Sequence, residues 1–188
     1  KMAKDSSIEL GKLGDTLAKQ SRIVGTTGKN YQTLEFAAKR AGTSVHHIGD
    51  GMKKLARQMI NAQQGNRTVV ETFDALDIKV TDTNGKMRSA YDVFLDLADR
   101  SQTLGDSAER TGTLMLLLGR SGANMTNFMD QGSDGIREME AELSNLGGYM
   151  DDKMLATSEE FVDRVADMEH AMRGAQIEVG EHLLPSII

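Results

Sequence analysis

The chain has 188 residues, a net charge of −6 and no cysteine. That length fits one domain, or one domain with a helical extension, and the missing cysteines exclude a disulfide framework and a thiolate metal site. Lys and Arg are dispersed among a larger number of acids, which argues against nonspecific DNA binding, because phosphate binding needs concentrated cations.

The core must be built without tryptophan and with few other aromatics, from Leu, Ile, Val, Ala and 12 Met. Flexible methionine fills irregular gaps, so this composition suits helix packed on helix. Pro185 is the only proline, and the body of the chain is free of that helix breaker. Glycines fall between periodic segments, where they can end helices. The apolar run Leu114–Leu118 is far short of the roughly 20 residues a membrane span needs.

In chain order, Ile8, Leu10, Leu13, Leu17, Ala18 and Ile23 give a loose helical period over about 5–24, weakened by Gly11 and Gly14. Gly25-Thr26-Thr27-Gly28 is a break. A second helix over 31–41 puts Leu34, Ala37, Ala38 and Ala41 on one face, and Gly42 ends it. Ser44 caps a third, with Val45, Ile48, Met52, Leu55, Met59 and Ile60 on one stripe, closed by Gly65. A short helix covers 69–76. Ile78–Thr81 and Lys86–Arg88 then alternate apolar and polar around Asp82-Thr83-Asn84-Gly85, which predicts a two-stranded hairpin near 78–88 turned at Asn-Gly.

Ser89 caps a helix carrying Tyr91, Val93, Phe94, Leu97 and Ala98. Asp106 starts another that reaches Leu118, Gly119–Gly122 is a break, and 125–129 is a single short helix. Ser133 or Asp134 starts the next, with Ile136, Met139, Leu143 and Leu146, ended by Gly147-Gly148. The last helix, from about Asp151 to Leu184, is the longest. Its residues Phe161, Val165, Met168, Met172, Ala175 and Val179 alternate spacings of four and three, which fits a coiled coil as well as a packed long helix.

Candidate chemistry is thin. Asp82-Thr83-Asn84-Gly85 fails as a calcium loop: with Gly85 sixth, Val80 and Tyr91 occupy the first and twelfth places, where carboxylates are needed. Gly25–Asn30 has two residues between its glycines instead of the four of a phosphate-binding loop. Gly119-Arg120-Ser121-Gly122-Ala123 lacks the final glycine of a nucleophile elbow; a helix-ending turn is the plainer reading, with Arg120 bonding the carbonyls that end the preceding helix. His46 and His47 are adjacent, about 100° apart on a helix, and cannot chelate one metal well. His170 and His182 stand far along the last helix. Asp151-Asp152 and Glu159-Glu160 lie at helix starts, where negative charge suits the dipole. We therefore expect no catalytic, cofactor-binding or metal-ligating residues and no enzyme activity.

Several blocks in order resemble the shared region of phage tail tape-measure proteins (phage-related minor tail proteins): Ala37-Ala38 to Gly42-Thr43-Ser44, Ala62-Gln63-Gln64-Gly65, Asn84-Gly85-Lys86, Leu118-Gly119-Arg120-Ser121-Gly122, Gly132–Gly135, and Val179-Gly180-Glu181-His182-Leu183-Leu184-Pro185. The similarity runs from about 36 to 185. Asp77 departs from it where a Leu-Gly-Ile turn is expected, and Leu118 where Phe precedes Gly-Arg. The resemblance implies a helical structural segment in the lumen of the virion tail. Such a segment sets tail length, is held in the host cytoplasm during assembly by tail assembly chaperones, and contacts the tail tube and the tail tip or baseplate. The opening Lys1-Met2 and the apolar tail Leu183–Ile188 fit an internal fragment of a longer protein.

These readings combine into an all-α fold: a multi-helix domain over 1–148 with a small two-stranded β-hairpin near 78–88, and a long C-terminal helix over 149–188 able to self-associate. We expect no membrane span and no direct nucleic-acid contact in this segment. The competing classes are a peptidoglycan-degrading tail domain and a bacterial helical adaptor. Cell-wall clearing that is lost on replacing Glu138 or Glu142 would favour the first, and a gene neighbourhood without tail genes the second.

Overall fold

The computed structural model describes residues 2–105 and 107–183. It is all-α, 79% helical. The helices are α1 (Met2–Val24), α2 (Gly28–Arg40), α3 (Val45–Gln63), α4 (Arg67–Ala75), α5 (Ala90–Gln102), α6 (Ser107–Leu118), α7 (Thr126–Met129), α8 (Gly132–Asn145) and α9 (Asp152–Leu183), with a 3₁₀ stretch over Gly119–Met125 between α6 and α7. Asp106, expected to start α6, lies outside the described residues, as does Leu184 at the expected end of α9.

Short polar residues begin four of the helices, at the expected Ser44 and Ser89 and also at Thr27 and Asn66. Thr27, Ser44, Asn66 and Ser89 each accept a backbone N–H of the first turn, satisfying a donor with no partner inside the helix. Gly25, Gly42, Gly65 and Gly147 follow helix ends with φ between +63 and +80.

The chain divides into two compact units, Lys1–Ala18 with Met150–Ile188, and Lys19–Tyr149. The division falls inside α1. In the larger unit α3 is central, packing on α2, α4, α5, α6 and the 3₁₀ stretch. Ile48, Met52, Leu55 and Met59, spaced four, three and four apart, are almost wholly buried, the stripe of an amphipathic helix. Gly51 lets the next layer approach: a Cβ there would lie 3.1 Å from Met125 Sδ. Phe94 of α5 meets Phe128 of α7 with ring centroids 5.9 Å apart. Met52, Met59, Met125 and Met129 are buried, filling the space that an aromatic-poor composition leaves to flexible side chains.

In the smaller unit, α1 and α9 pack through small residues. A Cβ on Gly11 would meet Phe161 Cδ1 at 2.6 Å, and one on Gly14 would meet Ser158 Oγ at 2.2 Å. The two glycines that weaken α1 as an isolated helix are thus the positions where another helix seats. Asp151 caps α9 by accepting Met154 N–H at 2.7 Å.

One expectation is corrected. The two-stranded hairpin near 78–88 is not formed. Among the described residues there is one antiparallel bridge, Thr81 with Met87, flanked by Asp82 N–H to Lys86 O and Arg88 N–H to Val80 O. The reversal itself is present, because the Asp82 carboxylate accepts both Asn84 N–H and Lys86 N–H. That local turn uses the donors near the tip, and a ribbon this short gains too little from pairing to extend.

The expected break at Gly119–Gly122 is present, and a tight 3₁₀ stretch fills it. Gly122 folds back so closely that a Cβ would sit 2.3 Å from Leu114 O. Gly119, with φ +71, ends α6, and Arg120 is exposed. α8 begins at Gly132, one position before the expected Ser133 or Asp134, and neither of these supplies a side-chain cap. Gln131 holds the cap position without a side-chain bond, and the cap comes from α5, where Asp99 Oδ1 accepts Ser133 N–H at 2.6 Å.

Candidate functional site

The polar residues of the larger unit converge where α2, α5 and α8 meet. Lys29 of α2 pairs with Glu140 of α8 at 2.5 Å and lies 5.7 Å from the Tyr149 ring centre. Thr33 shares a hydrogen bond with the Tyr149 hydroxyl, and Arg40 pairs with Glu142. The Lys29–Glu140 hydrogen bond raises the Lys29 pKa. Burial raises that of Tyr149, against the opposing bond from Thr33. Tyr91 of α5 is 7% exposed, its hydroxyl is buried without a hydrogen-bond partner, and burial pushes its pKa up to about 12. These groups lock α8 onto α2. Both ion pairs are open to solvent, so each contributes little. Thr33 and Tyr149 are 116 positions apart, and no local pattern announces them.

A second polar cluster lies at the C-terminal end of α5. Arg100 pairs with Asp77 at 2.9 Å, and Arg88 with Asp96 at 2.7 Å. Gln102 donates to Met129 O and Asp130 O, while Asp99 caps α8. A hollow of about 360 Å³ is lined by Asp77, Asp96, Asp99, Arg100 and Thr103. Each carboxylate here serves a neighbouring donor, which leaves the hollow with a structural account.

The sequence motifs disperse when placed in the fold. The Asp82 carboxylate is taken up by its own turn. Thr27 of the Gly25–Asn30 segment caps α2. The Gly119–Gly122 segment is 3₁₀, with none of the strand-to-helix turn a nucleophile elbow needs. His46 and His170 are exposed and His47 is half-buried; the side chain of His182 lies outside the described residues. Glu138 is exposed, whereas Glu142 is engaged by Arg40. No group of three or more His, Cys, Asp or Glu able to hold a metal occurs among the described residues.

The smaller unit shows a different kind of surface. A groove of about 460 Å³ runs between α1 and α9, with Leu10, Gly11, Met154 and Phe161 in its walls. Farther along α9, Met168 is 52% and Met172 57% exposed. No helix among the described residues is long and apolar enough to cross a membrane, so these side chains do not belong to a spanning segment. Comparison with known proteins adds no relative: no family model, curated protein or solved structure matches the chain.

Proposed function

We propose that this chain is a structural segment of a phage or prophage tail tape-measure protein, acting in the tail lumen. It works there as a shaped spacer that helps set tail length and organises assembly, contacting tail-tube subunits and the tail tip or baseplate after release from assembly chaperones. The observation that carries this reading is α9, a 32-residue helix that over residues 168–177 presents both apolar and charged side chains to solvent. A helix rises about 1.5 Å per residue, so α9 spans roughly 48 Å, and its rise is fixed by backbone hydrogen bonds. A ruler needs that property. The larger unit, 19–149, is a compact folded body by itself. Supporting it further, Gly42, Gly65, Gly85, Gly119 and Gly132 of the blocks resembling this family all adopt positive φ at turns or helix ends.

The test is tail length. Removing about two heptads in frame from α9 in the intact phage gene shortens tails by about 20 Å, read by electron microscopy across many particles. Tails of unchanged length, with assembly otherwise normal, would overturn the ruler role.

A further inference from the structure

We propose that α9 pairs with the α9 of a second copy of this chain, parallel and in register, through Val165, Met168, Met172 and Ala175. This pairing needs nothing from the tail role; it follows from what α9 places on its surface. Alternating spacings of three and four put these residues on one seam with the 3.5-residue repeat of a two-stranded supercoil. Within the chain the seam is partly covered at its start, where Phe161 sits over Gly11 and Val165 is half-buried. Beyond that point Met168 and Met172 are more than half exposed.

The charges beside the seam choose the orientation. Arg164 precedes Val165 and Glu169 follows Met168, which places them at the two flanking positions of the repeat. In a parallel, in-register pair each Arg164 faces the partner's Glu169, and two-fold symmetry makes that contact twice. The other flanking residues, Val162, Ala171 and Gln176, add no like-charge contact. The antiparallel alternative that sets Met168 against Met172 also brings Arg164 beside the partner's Glu178, but it adds a contact of Glu169 with the partner's Glu169, a like-charge contact that the parallel pair lacks. Arg164 now bonds Glu160 within its own helix at 2.6 Å, with both side chains largely exposed. Such a pair contributes little, and Arg164 is free to turn toward a partner. Four apolar residues per helix make a short interface, so the dimer builds up only at high concentration.

The chain has no cysteine, so a single introduced thiol reports without background. In the full 188-residue chain, Met172→Cys faces its own copy within disulfide reach in the parallel register. Oxidation is expected to give a covalent dimer whose yield rises with concentration, several-fold above that of Asp163→Cys on the outer face. Adding Glu169→Arg to Met172→Cys lowers the yield, and adding Arg164→Glu to that restores it. Equal yields at 163 and 172, cross-linking only in a mixture of Met168→Cys and Met172→Cys chains, or no dimer at the highest soluble concentration would each overturn the pairing. Circular dichroism checks that every variant keeps its helix content.

Discussion

Asp77 carries the one positive φ on a non-glycine residue among those described, +51. It sits at the turn after α4, where Asp77 N–H bonds Asp74 O and Ile78 N–H bonds Phe73 O. The left-handed conformation costs a side-chain-bearing residue energy that glycine avoids, and Asp tolerates it better than most. The exposed pair with Arg100 offsets a small part. Asp77→Gly should therefore change stability by less than about 1 kcal/mol, whereas Asp77→Val should lower it by roughly 1–3 kcal/mol, both read by urea unfolding. Tyr91 presents the opposite case, a hydroxyl buried without a partner. Tyr91→Phe is expected to raise stability by about 1 kcal/mol at neutral pH. Its folded pKa is raised from 10.0 to about 12, so the folded state holds the proton more tightly. The stability this confers is complete below pH 10.0 and is lost as pH climbs toward about 12. Tyr31 and Tyr149 are also raised and act in the same direction. Tyr91→Phe should flatten the alkaline fall in stability without abolishing it.

At the scale of elements, α8 shows how one helix completes another. Its own cap residue bonds nothing through its side chain, and Asp99 of α5 accepts Ser133 N–H in its place. Gly132 makes room for this: a Cβ there would lie 2.8 Å from Gln102 Nε2 and 3.0 Å from Asp99 Oδ1. Asp99→Ala should cost about 1–2 kcal/mol, the usual loss of a cap, while Ser133→Ala should cost less because the bond is made by its backbone. Thermal unfolding of the two variants separates these outcomes. Equal losses would mean that Ser133, and not Asp99, begins the helix. The hairpin near 78–88 illustrates the converse. Alternation and Asn-Gly favour a ribbon, yet the donors around the tip go to the Asp82 carboxylate, and one bridge is all that remains.

The whole molecule is two units that share α1. Their cores are distinct: the larger is centred on α3, and the smaller is a helix pair seated on Gly11 and Gly14. Separate clusters of contacts open separately when either is weakened. Gly14→Leu, which forces a side chain into Ser158 and Met150, should strip hydrogen-exchange protection from about 152–165. Protection of α3, α5 and α6 should persist. Loss of protection throughout would show that the two units unfold as one.

The amino-acid sequence by itself determined the class and much of the punctuation: helices from 3.6-residue spacing, starts at Ser44 and Ser89, and ends at glycine; the starts at Thr27 and Asn66 came from the structure. All of these are local, set by bonds between residues within about four positions of one another. Asp77 was marked only by the family resemblance, which implies a glycine there, and its φ of +51 belongs to the structure. Tertiary structure alone decided the rest. Asp99 caps a helix 34 positions away, Thr33 reaches Tyr149 across 116, and the first 18 residues group with the last helix. Contacts between distant residues carry no periodic signature, since which faces meet depends on how all the helices pack at once.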